Sequence, residues 1–481
     1  MNCRNCFLGL LFLCQLVPAF SLKPVVIEGE ASFAKNNTLR FYFYNDLSLQ
    51  KRVLCAQTKV DNEGNFRVQI ATDETTVLIL ACNTIYGQMY IEPEKQYQVK
   101  LFADENMLKR IDAEMLGASV EIRITSSDTN ELNYKINRFD RYYSYFFYLY
   151  SQYLFSHPPI HIYDSIVGLL TERFPIQEDA TDYYSVYTRY KIAYIDLLYY
   201  HKDKSKLYDK YLNSPYIYYN NTAYMDFFNS FFENYLYAGT RKITHQVLYQ
   251  NINGERNYYK LLDEMGKDPV LLNEKIREMV FIKGLGELYG FEDEFNHYNI
   301  LFLLSQMNKE SKFREHRLMA NNLIDHLQTL KSGTKAPNFM LKDVYNSPVS
   351  LDDFKGRYLY LHFFTSYCED CIREMLILKS LQEQYKDSLQ IVSVMLDFEQ
   401  AGLYHFVNTY KEFTWKFLHF GGNFLFIEDY AAYSLPLGVL IDSQGRVVNY
   451  PAKSPSEGLL LQIFTLFPTV GRSDEAVKKK Y

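Results

Sequence analysis

The spacing of apolar residues changes twice along this chain, and that change limits what it can fold into. One hydrophobic period belongs to one kind of packing layer, so three successive periods call for three packing units. A length of 481 residues also outgrows a single core. Residues 22–103 carry short β-branched or aromatic runs: Val25–Ile27, Leu39–Tyr44, Arg52–Val60, Phe66–Ile70, Val77–Leu80 and Met89–Ile91. Turn residues separate them, and Asp61-Asn62-Glu63-Gly64 suits a hairpin because Asn and Gly tolerate positive φ. Regular short strands predict an antiparallel β-sandwich.

From 104 to 331 glycine and proline thin out and the apolar spacing becomes three and four. Leu132, Ile136, Phe139, Tyr143, Phe146 and Tyr150 share one helical face, as do Leu271, Ile276, Met279, Val280, Ile282 and Leu285. His157-Pro158-Pro159, Asn213-Ser214-Pro215 and Lys267-Asp268-Pro269 break the helices. The expectation is an all-α domain whose stripes are core. It carries no Gly-rich phosphate loop and no cluster of His and Cys ligands.

After a linker at Lys331–Pro337 the pattern alternates strand and helix over 332–470. Tyr358–Phe364 is apolar except for His362, as a buried parallel strand would be. A helix follows over Ile372–Tyr385, then a strand over Leu389–Leu396, a helix over Leu403–Tyr410, strands at Leu437–Asp442 and Val447–Tyr450, and a closing helix over Glu457–Phe467. Residues 471–481 read as a charged tail.

The start of the chain reads as a secretory signal over residues 1–21. Arg4 is basic, Cys6–Phe20 is mostly apolar, and Ala19-Phe20-Ser21 resembles a small-x-small cleavage site. No other stretch approaches the ~20 apolar residues of a membrane span. The reading is an exported protein of the periplasm or cell envelope, not membrane-spanning. A net charge of −6 gives no basic surface for nucleic acid. The 44 tyrosines fit either wide amphipathic helix faces or a plain compositional preference.

Export governs the cysteines. Cys3, Cys6 and Cys14 leave with the signal, so Cys55, Cys82, Cys368 and Cys371 remain. Cys55 and Cys82 form a disulfide or stay as two free thiols; sequence leaves both open. Cys368-Glu369-Asp370-Cys371 by itself is compatible with a redox pair, half of a metal site, or a coincidence of spacing. A four-thiolate zinc site would need Cys55 and Cys82 beside that pair, and their spacing is wrong for it. No metal and no cofactor is expected.

Several ordered features together resemble the TlpA/ResA-like thioredoxin-fold thiol–disulfide oxidoreductases. Gly333-Thr334-Lys335-Ala336-Pro337-Asn338-Phe339 is similar to the family's G-x-x-A-P-x-F. Leu351–Gly356 is similar to its S-L-x-x-x-x-G turn. Then come strand–Cys368-Glu369-Asp370-Cys371–helix, Glu374, and Ser434-Leu435-Pro436 ahead of Val439-Leu440-Ile441-Asp442 and Gly445. The regions before residue 332 are similar to the N-terminal extension of Bacteroidetes members. The resemblance implies a C-terminal α/β thioredoxin fold, disulfide-containing client proteins, and a membrane electron donor of the DsbD/CcdA type. It implies that Cys368 attacks and Cys371 resolves, that Pro436 is cis and faces them, and that the Leu435 backbone pairs with an extended substrate strand.

Physical chemistry supports that assignment. Exchange needs an accessible thiolate, and a helix N-terminus offers free N–H groups and partial positive charge to one. Departures from the family pattern are Tyr367, Asp370, Leu376 and Leu437, where Trp, Pro, Pro and Thr are usual. Glu369 and Asp370 place anions between the sulfurs, which disfavours the thiolate and predicts a low, reducing potential. Glu374 matches a family acid or is a solvated charge. His362, six residues before Cys368, is either a proton acceptor for the second cysteine or a structurally satisfied core histidine. Thr365-x-x-Cys368 also resembles part of a peroxiredoxin motif, with Leu361 where its proline belongs. The remaining alternative is a binding or assembly protein using this fold as a scaffold.

Overall fold

The computed structural model describes residues 22–467, apart from 83–84, 104–119, 126–127, 155–159, 201–203, 240–241, 292, 398–399 and 433–434. The signal segment, Ser434, the break at His157-Pro158-Pro159, the side chain of Tyr150 and the charged tail lie outside the described residues.

Eight strands come first among the described residues: β1 (Lys23–Glu30), β2 (Thr38–Asp46), β3 (Lys51–Lys59), β4 (Asn65–Thr72), β5 (Thr76–Cys82), β6 (Ile85–Ile91), β7 (Gln96–Phe102) and β8 (Glu121–Ile124). They form two four-stranded sheets, ordered β4-β1-β7-β8 and β3-β2-β5-β6. Inward side chains of both sheets, among them Ile27, Phe41, Leu80 and Val99, share one core. The expectation of purely antiparallel pairing is corrected at β1 and β7, which run parallel. Between them the chain crosses to β2 and β3 of the second sheet, returns as β4, crosses again to β5 and β6, and re-enters the first sheet beside β1 on the side away from β4. β7 was not foreseen, although its alternation of buried Tyr97, Val99 and Leu101 with exposed neighbours is a plain period of two.

Fourteen α-helices lie among the described residues. The first ten are α1 (Leu132–Leu154), α2 (Ile160–Arg173), α3 (Tyr183–Tyr199), α4 (Lys204–Tyr211), α5 (Thr222–Phe231), α6 (His245–Tyr249), α7 (Tyr258–Met265), α8 (Glu274–Leu288), α9 (His297–Glu310) and α10 (Arg314–Gln328). Asn221, Asn257, Asn273 and Asn296 cap four of them by accepting first-turn N–H groups. The helices share one apolar core, which Leu47, Val77 and Tyr90 of the strand region join. Many tyrosines bury their rings there and bond their hydroxyls to carboxylates. Tyr163 and Tyr211 donate to Asp196 at 2.5 and 2.6 Å, and Tyr187 donates to Asp140 at 2.9 Å. These tyrosines are apolar in body and polar at the tip.

The C-terminal sheet is built from β9 (Met340–Asp343), β10 (Pro348–Ser350), β11 (Tyr358–Phe364), β12 (Leu389–Met395), β13 (Lys416–His419), β14 (Leu437–Ile441) and β15 (Val447–Asn449). Its order is β10-β9-β13-β12-β11-β14-β15. β11, β12 and β13 are parallel, and β14 runs antiparallel to β11. The helices are α11 (Glu369–Tyr385), α12 (Gln400–Thr409), α13 (Phe424–Asp429) and α14 (Leu459–Leu466). Central β11 is buried on both faces. Leu359, Leu361 and Phe363 point into one core, and Tyr360 and Phe364 into the other, beneath α11. The segment at Lys331–Pro337 is seated on the sheet edge: Gly333 N–H donates to the Val447 carbonyl at 2.7 Å and Ala336 N–H to that of Gly445 at 2.9 Å.

Candidate functional site

β11 ends at Phe364, and a short loop delivers Cys368 to the N-cap of α11. Its sulfur accepts the Cys371 N–H at 3.1 Å and is bonded to the Cys371 sulfur, with Cα atoms 5.2 Å apart. Cys368 is half-buried, whereas Cys371 is fully buried in the core beneath α11. One sulfur is thus reachable and the other is not, and the helix start lends the reachable one its N–H groups.

The Leu435–Pro436 bond is cis. The register that pairs Leu437 with Phe363 and Gly438 with His362 brings Pro436 to the end of β11 from which the cysteine loop departs. Leu435 and Cys368 pack against the same apolar cluster. A second cis bond, Tyr450–Pro451, lies nearby and was not foreseen. Both prolines line a cavity of about 160 Å³ with Tyr360, His362, Glu374 and Ser454.

His362 is 1% exposed. Its Nδ1 lies 3.3 Å from the Ser393 hydroxyl, which also accepts the Trp415 indole N–H at 2.8 Å. Its Nε2 has no hydrogen-bond partner among the described residues. Burial pushes its pKa down to about 3, so the ring is neutral at ordinary pH. Glu374 is more than a solvated charge. It accepts the Ser456 backbone N–H at 2.9 Å and the Ser456 hydroxyl, tying α11 to the turn at Pro455–Glu457. Asp370 is exposed and paired with Arg373 one turn along. Glu369 is exposed, with no ion-pair partner among the described residues.

Cys55 and Cys82 are both free. They stand on β3 and β5, with β2 between them. Two strand spacings are about 10 Å, beyond the reach of a disulfide. Neither lies beside Cys368, and among the described residues no group of three His, Cys, Asp or Glu is placed to hold a metal ion. No described helix is long and apolar enough to cross a membrane.

A buried strand feeding a cysteine pair at a helix N-terminus, with a cis-proline at the adjacent strand start, is the arrangement of a thioredoxin fold. The Redoxin family profile matches residues 331–458. The chain is 30% identical over 125 residues to the thiol-disulfide oxidoreductase ResA of Bacillus thuringiensis, covering 25% of this chain and 69% of that protein. It is 30% identical over 142 residues to ResA of Bacillus anthracis, covering 28% of this chain and 80% of that one. Among solved structures it is similar to the thioredoxin domain of a thiol-disulfide oxidoreductase from Bacteroides vulgatus, at 23% identity, a TM-score of 0.26, and 28% and 97% coverage of the two chains. The chain belongs to the ResA-like thiol–disulfide oxidoreductases, and it is an oxidoreductase of that thioredoxin-like kind.

Proposed function

We propose that this protein is exported and reduces disulfides of client proteins through a Cys368/Cys371 cycle. The carrying observation is the half-buried Cys368 at the start of α11, bonded to a fully buried Cys371. In the reduced protein the Cys368 thiolate attacks a client disulfide and expels one client thiolate, forming a mixed disulfide. Cys371 then gives up its proton and attacks the Cys368 sulfur, expelling the second client thiolate. Two electrons pass to the client, and the Cys368–Cys371 bond of the present structure results.

In this reading the Leu435 backbone, held by Pro436, pairs with an extended client segment. Glu374 keeps the Pro455–Glu457 turn closed over the cavity beside His362. His362, a neutral ring beside the Ser393 hydroxyl, takes the structural role, because burial makes it too weak a base for the Cys371 proton. Glu369 acts on the thiolate more than Asp370, whose charge Arg373 offsets. A membrane donor of the DsbD/CcdA type would return two electrons, in keeping with export from a signal at 1–21 to the periplasm or envelope. The division at 22–103, 104–331, 332–470 and 471–481, with a sandwich at the front, is part of the same proposal; β8 carries the strand region beyond residue 103.

The test is a redox titration of the full chain against dithiothreitol and glutathione buffers, read by alkylation of Cys368. A potential near or below roughly −270 mV supports a reductant. A value near roughly −120 mV overturns that direction. The absence of a reversible two-electron couple would leave the scaffold reading instead.

A further inference from the structure

The outer face of the β3-β2-β5-β6 sheet bears a buried apolar patch of Tyr42, Ile79 and Ala81. The residue packed on that patch from the C-terminal unit is Leu425 of α13. Polar contacts flank it on both sides. Arg40 donates to the Gly422 carbonyl at 3.3 Å, and Arg52 lies 2.9 Å from the Glu428 carboxylate. The Arg52 guanidinium sits over the rings of Tyr86 and Tyr44, at 5.3 and 5.9 Å. Both members of the ion pair are largely shielded, at 17% and 28% exposure, so the pair is not a solvated rim contact.

The opposite side of α13 enters the thioredoxin core. Phe426 packs on Phe363 and Phe339 with ring centres 5.5 and 5.6 Å apart. One six-residue helix is therefore held on both sides. Tyr430 donates to the Pro337 carbonyl at 2.5 Å, Ala431 takes a left-handed φ of 43° and accepts the Tyr450 hydroxyl at 3.2 Å, and Leu435–Pro436 follows. A non-glycine residue in that backbone region is held there by its surroundings.

We propose that the N-terminal sheet positions the disulfide-exchange site: Arg52, through Glu428, fixes α13 and so the placement of Leu435 and Pro436, which present their backbone to a client. Arg52 touches neither sulfur, so it is a positioning residue. This rests on the client-reduction reading above. The arrangement separates two kinds of substrate. A protein disulfide must pair an extended strand with the Leu435 backbone and depends on its placement. A small aromatic disulfide has no strand to pair and needs only the Cys368 sulfur.

The experiment uses the pre-reduced full chain in single turnover, oxidised either by insulin or by 5,5′-dithiobis(2-nitrobenzoate). Arg52→Met keeps the apolar stem and removes the charge; Glu428→Gln keeps the shape of its partner. Each is expected to slow the insulin reaction about tenfold, a loss of the size that small misplacements cause. The rate with the small disulfide stays within about twofold. The reversed pair, Arg52→Glu with Glu428→Arg, recovers most of the insulin rate. Equal loss with both oxidants, no loss with either, or a loss the reversed pair does not recover overturns the proposal. If Arg52→Met loses its far-ultraviolet circular dichroism, Glu428→Gln alone carries the test. A wild-type protein that reacts with neither oxidant would overturn the client-reduction reading instead.

Discussion

Within the thioredoxin-like unit, burial lowers the pKa of two histidines, His362 and His419. His419 accepts the Gly421 N–H on Nδ1 at 3.0 Å, so its Nε2 carries the proton and donates to the Asp397 carbonyl at 2.9 Å. That tautomer is neutral, and burial lowers the pKa to about 4. In the unfolded chain both rings titrate near 6.5. Between that value and the folded one the unfolded chain binds the extra proton. The stability these rings contribute is therefore complete above about pH 6.5 and is lost as the pH falls towards 4 for His419 and 3 for His362. Each is expected to remove about 2 kcal/mol between pH 7 and pH 5. Urea unfolding at the two pH values checks this, and His362→Asn should remove its share of the slope; an unchanged slope would sink the assignment. The cysteine pair carries a second prediction at this scale. Asp370→Ala should move the redox potential by less than about 20 mV, because an exposed ion pair with Arg373 is worth little. Glu369→Ala should raise it further, since removing an anion favours the thiolate and hence the reduced form. Equal shifts would show that Arg373 does not offset Asp370.

At the scale of elements, the site depends on how closely β11, β14 and the turn after β15 approach one another. A Cβ on Gly438 would stand 2.2 Å from the Tyr360 hydroxyl, which donates to the Lys453 carbonyl. Gly438→Ala is therefore expected to cost about 1–3 kcal/mol, read as a lowered unfolding midpoint. Glu374→Gln should cost about 1–2 kcal/mol by weakening its two bonds to Ser456. No loss would mean that the turn closes without it. These contacts also mark the limits of sequence reading. Tyr358–Phe364, Leu389–Met395 and Ile372–Tyr385 were legible because each is long and of one period. β13 and α13 were not: four and six residues are too few to separate a strand from a helix by periodicity. The Gly421-Gly422-Asn423 break just before α13 was the available signal.

For the whole molecule, separate apolar cores serve the strand region, the helical region and the two faces of the C-terminal sheet. Separate cores with few shared residues predict that unfolding is not a single all-or-none step. The one tryptophan, Trp415, lies buried in the C-terminal unit. Its fluorescence should report that unit alone, while far-ultraviolet circular dichroism reports every helix. The two urea transitions are expected to differ in midpoint; coincident curves would mean that the α13 contact couples the units into one cooperative whole.

The residues alone settled whatever depends on local pattern. Three hydrophobic periods predicted three kinds of packing unit, and the strand–Cys-x-x-Cys–helix order with Leu435–Pro436 indicated a thiol–disulfide site, because spacing along the chain fixes which groups share a helix turn or a strand end. Tertiary structure decided whatever depends on partners distant in sequence. It kept Cys55 and Cys82 apart by inserting β2, gave Glu374 its partner Ser456, turned β7 parallel to β1, and set Arg52 against Glu428. Such pairs join residues separated by tens to hundreds of positions, and packing, which follows three-dimensional proximity, brings them together where no local period can.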